Sequence, residues 1–221
     1  MDRTERSYIP AAGQHWLLPL YDPFLWVLRG NAIKRLLIDQ AGIESEFRVL
    51  DVGCGTGSLA VLIKSMHPQS EVVGRDPDAK ALSIAKRKAQ RAGLSIEFDQ
   101  GFSDRLAYKE ASFDRVFSSF MFHHLASDEK SATLGEIRRV LKPGGSLHLL
   151  DFVPARSFLA RTVGHLFHQA GHVEDNIEGR FKSLMGEAGL VDAAEVAQGN
   201  TLVGSIAYYR ARKPGGEHAR D

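Results

Sequence analysis

Short apolar runs alternate along this chain with longer segments whose apolar positions recur every three to four residues. The short runs fall near 48–52, 71–76, 95–98, 114–119 and 146–151 and read as strands. Between them, Asn31 stands as an N-cap before Ile33, Leu36 and Leu37, with Gly42 as the stop. Asp78 and Gly93 bracket a second helical segment carrying Leu82, Ala85, Ala89 and Ala92 on one face. Strands that alternate with helices predict a parallel α/β sheet. Gly144 and Gly145 after Pro143 supply a sharp turn into the fifth strand. Beyond Asp151 the pattern loosens. Residues 154–180 read as helical and His-rich, 181–189 as a short helix ending at Gly189, and 191–197 and 204–211 as two more strands.

The most informative stretch is Val49-Leu50-Asp51-Val52-Gly53-Cys54-Gly55-Thr56-Gly57, an apolar run that ends in an acid and three alternating glycines. A strand feeding such a turn brings main-chain N–H groups close to a ligand, which side chains bearing a Cβ would obstruct. The spacing G-x-G-x-G differs by one residue from the G-x-G-x-x-G fingerprint of dinucleotide binding. A second run, Glu71-Val72-Val73-Gly74-Arg75-Asp76, ends in an acid 25 residues after Asp51. That is close to where α/β nucleotide folds place a carboxylate for the ribose hydroxyls. Read singly, Asp51 is also a turn or capping carboxylate, and Asp76 an ordinary strand-end acid before Pro77.

Asp51-x-Gly53-x-Gly55-x-Gly57 resembles the first motif of the class I S-adenosylmethionine-dependent methyltransferases. Ser112-Phe113-Asp114-Arg115-Val116, running on to Met121-Phe122-His123-His124-Leu125, resembles the family's fourth-strand motif. Leu141-Lys142-Pro143-Gly144-Gly145 resembles the turn before its fifth strand. With the Asp76 run, four ordered matches cover roughly residues 45–152. The resemblance implies a Rossmann-like doubly wound α/β sheet of seven strands. Such a sheet is mostly parallel, with an antiparallel last strand beside the fifth and helices on both faces. It also implies three regions: an N-terminal helical cap or lid over 1–44, the methyltransferase domain over 45–212, and a disordered tail over 213–221.

The implied cofactor is S-adenosylmethionine, leaving as S-adenosylhomocysteine. Its implied contacts are Asp51, Gly53, Cys54, Gly55, Gly57, Asp76, Pro77, Gly101, Phe102, Ser103, Ser119 and Phe120. One departure stands out. Where many relatives read Gly-Asp-Ala after the third strand, this chain has Gly101-Phe102-Ser103-Asp104. Either the Phe102 ring packs on the adenine while Asp104 or Ser103 takes the polar contact, or Phe102 is a core residue beneath the pocket. His123 and His124 fall where the resemblance places residues near the transferred methyl, and histidine titrates in the range that suits a general base. Asp114 shapes the core or turn in the family and is left out of the site.

Composition narrows the setting. With 221 residues, 43% hydrophobic and 25% charged, the chain has one domain's worth of core. A net charge of +1 leaves no electrostatic footprint for nucleic acid. The densest basic run, Lys86-Arg87-Lys88 with Lys80 and Arg91, reads as a solvated helix face. Cys54 is the one cysteine, which excludes an internal disulfide and points to a reducing, cytoplasmic compartment. Its place between two glycines reads as packing rather than as a reactive thiol.

His165, His168 and His172 share one helical face, with Glu174 and Asp175 beyond. They read as a polar lining of the acceptor pocket, with His165 and His168 facing it, or as a solvated face. No zinc-type spacing is present and no metal is assigned. The segment from Gln14 to Leu28 holds both tryptophans and is interrupted by Pro19, Asp22 and Pro23, too short to span a bilayer. It reads as a lid with Trp16 and Tyr21 facing the site, as a helix packed on the sheet edge, or as a membrane-surface element. The leading functional reading is methyl transfer to a small-molecule acceptor, similar to the quinone-biosynthesis enzymes of the family. A lipid-headgroup N-methyltransferase at a membrane surface and a non-catalytic cofactor-binding protein are the alternatives. The acceptor atom and the oligomeric state are not assigned.

Overall fold

The structure, a computed structural model, describes residues 30–153, 180–201 and 204–215. Five parallel strands, β1 (Arg48–Val52), β2 (Glu71–Asp76), β3 (Glu97–Gln100), β4 (Phe113–Ser119) and β5 (Leu141–Val153), form most of one sheet. Two more, β6 (Val191–Thr201) and β7 (Gly204–Arg212), complete it in the order β3-β2-β1-β4-β5-β7-β6. β7 runs antiparallel to both neighbours, as the sequence implies. Strand order reverses between β1 and β4, and in open α/β sheets ligands bind outside the carboxyl ends at that point.

Helices cover both faces because each inner strand is apolar on both. Val49, Phe117 and Leu150 pack with α1 (Gly30–Asp39), α2 (Ser58–Met66) and α3 (Ala79–Arg91) through Leu37, Ile63 and Leu82. Leu50, Val116 and Leu149 pack on the other face with α4 (Ser127–Val140) and α5 (Arg180–Glu187) through Ile137, Phe181 and Met185. Asp114 braces this framework, accepting from the Arg48 N–H at 2.8 Å and from Lys142 Nζ at 2.8 Å.

Several boundaries differ from the expectation, each for a local reason. α1 already includes Gly30, so Asn31 lies within the helix rather than capping it. Asp78 does cap α3, accepting from the Lys80 and Ala81 N–H groups. That helix ends in a Schellman turn, with Gly93 at φ 66° and Leu94 N–H bonded to Ala89 O. The turn consumes the residues where β3 was expected to start, and β3 begins at Glu97 instead of Ser95.

β5 is longer than expected, since it pairs with β4 at Phe113↔Leu141 and resumes at Arg115↔Ser146. The Pro-Gly-Gly turn is thus a bulge inside the strand, the one place in a sheet interior where proline is accommodated. A Cβ on Gly145 would sit 2.9 Å from Lys142 O and 3.0 Å from Asp114 O, so only glycine fits. Lys213, assigned to the tail by its sequence, is bonded on both sides to this bulge. β6 runs on to Thr201, past the expected end at 197, because β7 continues to pair with it. Lys80, Lys86, Arg87 and Arg91 are exposed as expected. Lys88 is not, since it reaches across to Ser58 Oγ at 2.7 Å and Thr56 Oγ1 at 3.3 Å.

Candidate active site

The glycine turn is held at its base by one carbonyl. Gly53 and Cys54 N–H both donate to Arg75 O, at 2.8 and 3.1 Å, which fastens the end of β1 to the end of β2. Gly53 has φ 71°, and a Cβ there would collide with the Met121 side chain lying over it. At Gly57, with φ 74°, a Cβ would come 2.7 Å from Ala85 Cβ, so this glycine lets α3 pack against the start of α2. Cys54 turns its side chain into the core beside Gly74, and burial pushes its thiol well above the usual range. Its side chain therefore packs and stays protonated.

Asp51 is fully buried at the end of β1, and neither carboxylate oxygen makes a hydrogen bond of ordinary geometry among the described residues. Burial raises its pKa from 3.8 to about 7, against the opposing pull of the buried Lys34 ammonium on α1 and the Ala60 N–H. The Asp76 charge adds to the rise. Asp76, at the end of β2, is held by two backbone donors: Gly55 N–H to Oδ2 at 2.8 Å and Asp78 N–H to Oδ1 at 2.9 Å. Burial still lifts it to about 6. Each oxygen retains one lone pair. Pro77 follows, its carbonyl accepting from the Gln100 side chain at 3.1 Å.

The loop after β3 is fastened from three sides. Gly101 N–H donates to Asp76 O at 3.0 Å. Arg75, only 8% exposed, donates to Phe102 O at 3.2 Å and Arg105 O at 3.0 Å, and fills the space a Cβ on Gly101 would need. Glu136 and Arg139 on α4 take the Leu106 N–H and the Leu106 and Tyr108 carbonyls. Ser103 turns away, its hydroxyl bonded to Thr133 of α4 at 2.8 Å. Asp104 and Phe102 are partly buried. Replacing Arg75 by Met removes the donors from the part-buried Phe102 and Arg105 carbonyls. The expected loss in urea unfolding is about 1–3 kcal/mol, and proteolysis should first cut in the 101–108 loop. Unchanged stability would show that α4 and the Gly101–Asp76 bond hold the loop without Arg75.

At the end of β4, Ser119 pairs with Leu150 in the ladder and Phe120 adopts φ 55°, a left-handed conformation that costs a residue with a Cβ about 1–3 kcal/mol. Phe120 N–H is bonded to Leu150 O, and its ring packs on Phe152 with centroids 4.9 Å apart. The kink throws Met121 over Gly53 and starts a 3₁₀ turn, Phe122–His124. His123 bonds twice to Asp151 of β5: Nδ1 to Oδ1 at 2.6 Å, and its backbone N–H to Oδ2 at 3.0 Å. Asp151 is fully buried and also accepts from the Phe152 N–H at 2.7 Å.

The His124 ring is tilted 45° against that of His123 with centroids 3.9 Å apart, and burial lowers its pKa to about 4. Its Nδ1 is buried without a hydrogen-bond partner among the described residues. The two adjacent histidines, equivalent by sequence, are thus placed differently.

The carboxyl ends of β1, β2, β4 and β5 bring together Asp51, Gly53, Gly55, Asp76, Ser119, Phe120 and His123, with Gly101 and Phe102 beside Asp76. Sequence reasoning did not single out Asp151, Arg75 or Met121 as part of this site. Trp16, Tyr21, His165 and His168 lie outside the described residues. Among the described residues no group of three or more His, Cys, Asp or Glu could hold a metal ion. No described helix is long and apolar enough to cross a membrane.

Residues 49–145 match the family model described as a methyltransferase domain. The chain is 42% identical over 136 residues to the demethylmenaquinone methyltransferase of Deinococcus radiodurans, covering 62% of this chain and 56% of that protein. It is 40% identical over 121 residues to the demethylmenaquinone methyltransferase of Thermus thermophilus, covering 55% and 54%. The matched part thus spans about half the length of these curated relatives. The crystal structure of the YcgJ protein of Bacillus subtilis superposes with a TM-score of 0.67 at 19% identity, covering 83% of this chain and 98% of that one, which speaks for the fold alone. Over residues 49–145 the chain is thus similar to a methyltransferase domain, and the relatives at 42% and 40% identity are named methyltransferases.

Proposed function

We propose that this protein transfers the methyl group of S-adenosylmethionine to a small-molecule acceptor. The observation that carries this reading is Asp51, a fully buried carboxylate beside the glycine turn whose oxygens are without ordinary hydrogen bonds among the described residues. Leaving such a group uncompensated is costly, and the ammonium at the amino-acid end of the cofactor is the partner that relieves it. The free lone pairs of Asp76 suit the ribose hydroxyls, and the left-handed Gly53 lets the chain end β1 without a side chain in the way. Phe102 and Asp104 of the fastened loop are the candidates for the adenine end.

When bound, the cofactor supplies an electrophilic methyl carbon on a sulfonium. The protein's share is to fix the donor along its length and keep water from the methyl, and positioning alone is worth up to ~7–11 kcal/mol. Phe120 and Phe152 provide a weakly polar wall beside His123. Among acceptors, a quinone-type ring stands first, because the relatives at 42% and 40% identity are named demethylmenaquinone methyltransferases.

Thermal shift tests this reading. S-adenosylmethionine and S-adenosylhomocysteine at a hundredfold excess over Kd are each expected to stabilise the protein by about 2.7 kcal/mol, with no comparable effect of NAD. A shift with NAD and none with either cofactor form would discard the proposal.

A further inference from the structure

We infer that His123 is the general base of the transfer, that Asp151 positions it, and that the acceptor is a neutral aromatic hydroxyl, such as a phenol or quinol. The inference rests on the methyltransferase reading above and adds the acceptor chemistry to it. Asp151 accepts three hydrogen bonds, from the His123 and Phe152 backbone N–H groups and from the His123 ring. A carboxylate in that role takes the imidazole proton onto Nδ1, which leaves the Nε2 lone pair as the basic site. Nε2 makes no hydrogen bond among the described residues, and the side chain keeps 12% of its surface exposed.

The surroundings select the acceptor. Asp151 is fully buried, with two hydrogen bonds on Oδ1 and one on Oδ2, so its charge acts through the His123 ring rather than as an open site for an ammonium. Among the described residues, aromatic rings border His123: Phe152 meets it edge to face at 5.3 Å, Phe120 packs on Phe152, and the His124 ring centroid lies 3.9 Å from that of His123. A flat, uncharged ring fits that wall, and a hydroxyl on it has a proton to lose. Among the described residues, the titratable groups facing His123 are Asp151 from β5 and His124 from its own turn.

His123 Nε2 takes the hydroxyl proton as the oxygen, or the ring carbon conjugated with it, forms the new bond to the methyl carbon. The carbon–sulfur electron pair stays with the departing neutral thioether, and the imidazolium later returns its proton to water. Attack through carbon also releases the ring C–H proton while the oxygen regains one, so either route yields one proton overall.

The test uses the full chain saturated with S-adenosylhomocysteine, with 4-nitrophenol near pH 6 as the probe. In the wild-type complex the bound phenol is expected to show its anion band at several times the intensity of free phenol. His123→Gln is expected to bind the phenol without that increase. Asp151→Asn can keep its oxygen toward the His123 ring and the Phe152 N–H, at the cost of the bond from the His123 backbone N–H, and it removes the charge that stabilises an imidazolium, so the band should weaken.

With a short-chain demethylated naphthoquinol as acceptor, His123→Gln should lower kcat about a hundredfold or more, with KM changed less than threefold. Asp151→Asn should move the acid limb of the kcat/KM profile to lower pH, which loss of packing alone would not do. The inference is overturned by an anion band that survives in folded His123→Gln. It is also overturned by a wild-type complex that fails to bind the phenol or leaves the naphthoquinol unmethylated. Absence of S-adenosylhomocysteine binding in the wild type would instead remove the methyltransferase reading beneath it.

Discussion

Replacement of Asp51 by Asn is expected to weaken S-adenosylhomocysteine binding by at least a hundredfold at pH 8 while making the ligand-free protein less sensitive to pH. Both effects come from one desolvated carboxylate. Its pKa in the folded state is about 7, against an ordinary value of 3.8. Between those values the folded protein holds more protons than the unfolded chain, so stability falls as pH rises through the window, and the penalty is fully present above about pH 7. The penalty is of the order of 2–4 kcal/mol, and the asparagine variant lacks it. Asp76, raised to about 6 by burial, contributes a smaller fall of the same sign that stays in the variant. The comparison is therefore between two slopes.

Cofactor binding carries the opposite sign. An ammonium stabilises the ionised carboxylate, so affinity should rise with pH and level off above about 7, with up to a tenfold change per pH unit below it. Calorimetry at pH 6 and pH 8 on both proteins, with urea unfolding across the same range, checks the two effects together. Equal affinities of wild type and variant would detach Asp51 from the ligand.

Asp76→Asn should lower cofactor affinity by about a hundredfold and stability by about 1–3 kcal/mol, nearly as much as Asp76→Ala. A carboxamide is usually the mild replacement. Here both oxygens accept from backbone N–H groups, of Gly55 and of Asp78, and an amide offers only one acceptor. Its NH₂ would face a buried donor, and leaving such a donor unmade costs about 1–3 kcal/mol before any ligand contact is counted. The end of the glycine turn would then lose its tie to β2. A variant that keeps both stability and affinity would show that the turn holds its shape through Arg75 O alone.

The sequence made the parallel strands visible because each is an apolar run bounded by turn residues. It placed Asp51 and Asp76 because both lie directly at strand ends beside glycine or proline. Asp151 escaped for the same local reason. An acid at the end of a strand reads as a boundary, and its partner His123 is 28 residues away, next to it only because β4 and β5 pair. Arg75 was legible as a strand residue but not as a buried clamp, since its acceptors are main-chain carbonyls, which leave no trace in residue types.

Lys88 shows the limit of charge patterning. It belongs to a basic run whose other members are solvated, and it turned inward because two hydroxyls, Thr56 within the glycine turn and Ser58 just after it, lay within reach. The choice between His123 and His124 was equally closed to sequence, because it depends on which ring meets a carboxylate from another strand. The expectations for Trp16, Tyr21, His165 and His168 fall outside the described residues.

The position of β7 between β5 and β6 also bears on how the chain is made. On a ribosome adding about 5–20 residues per second, roughly 3–10 s separate the synthesis of Val153 from that of Gly204. Throughout that interval the edge of β5 from Ser146 to Val153, which carries Leu147, Leu149 and Leu150, has no strand to pair with. A bare apolar edge of that length is a template for another nascent chain. The strand that seals it is the last of the seven to emerge, so the sheet protects itself only once synthesis has passed Arg212.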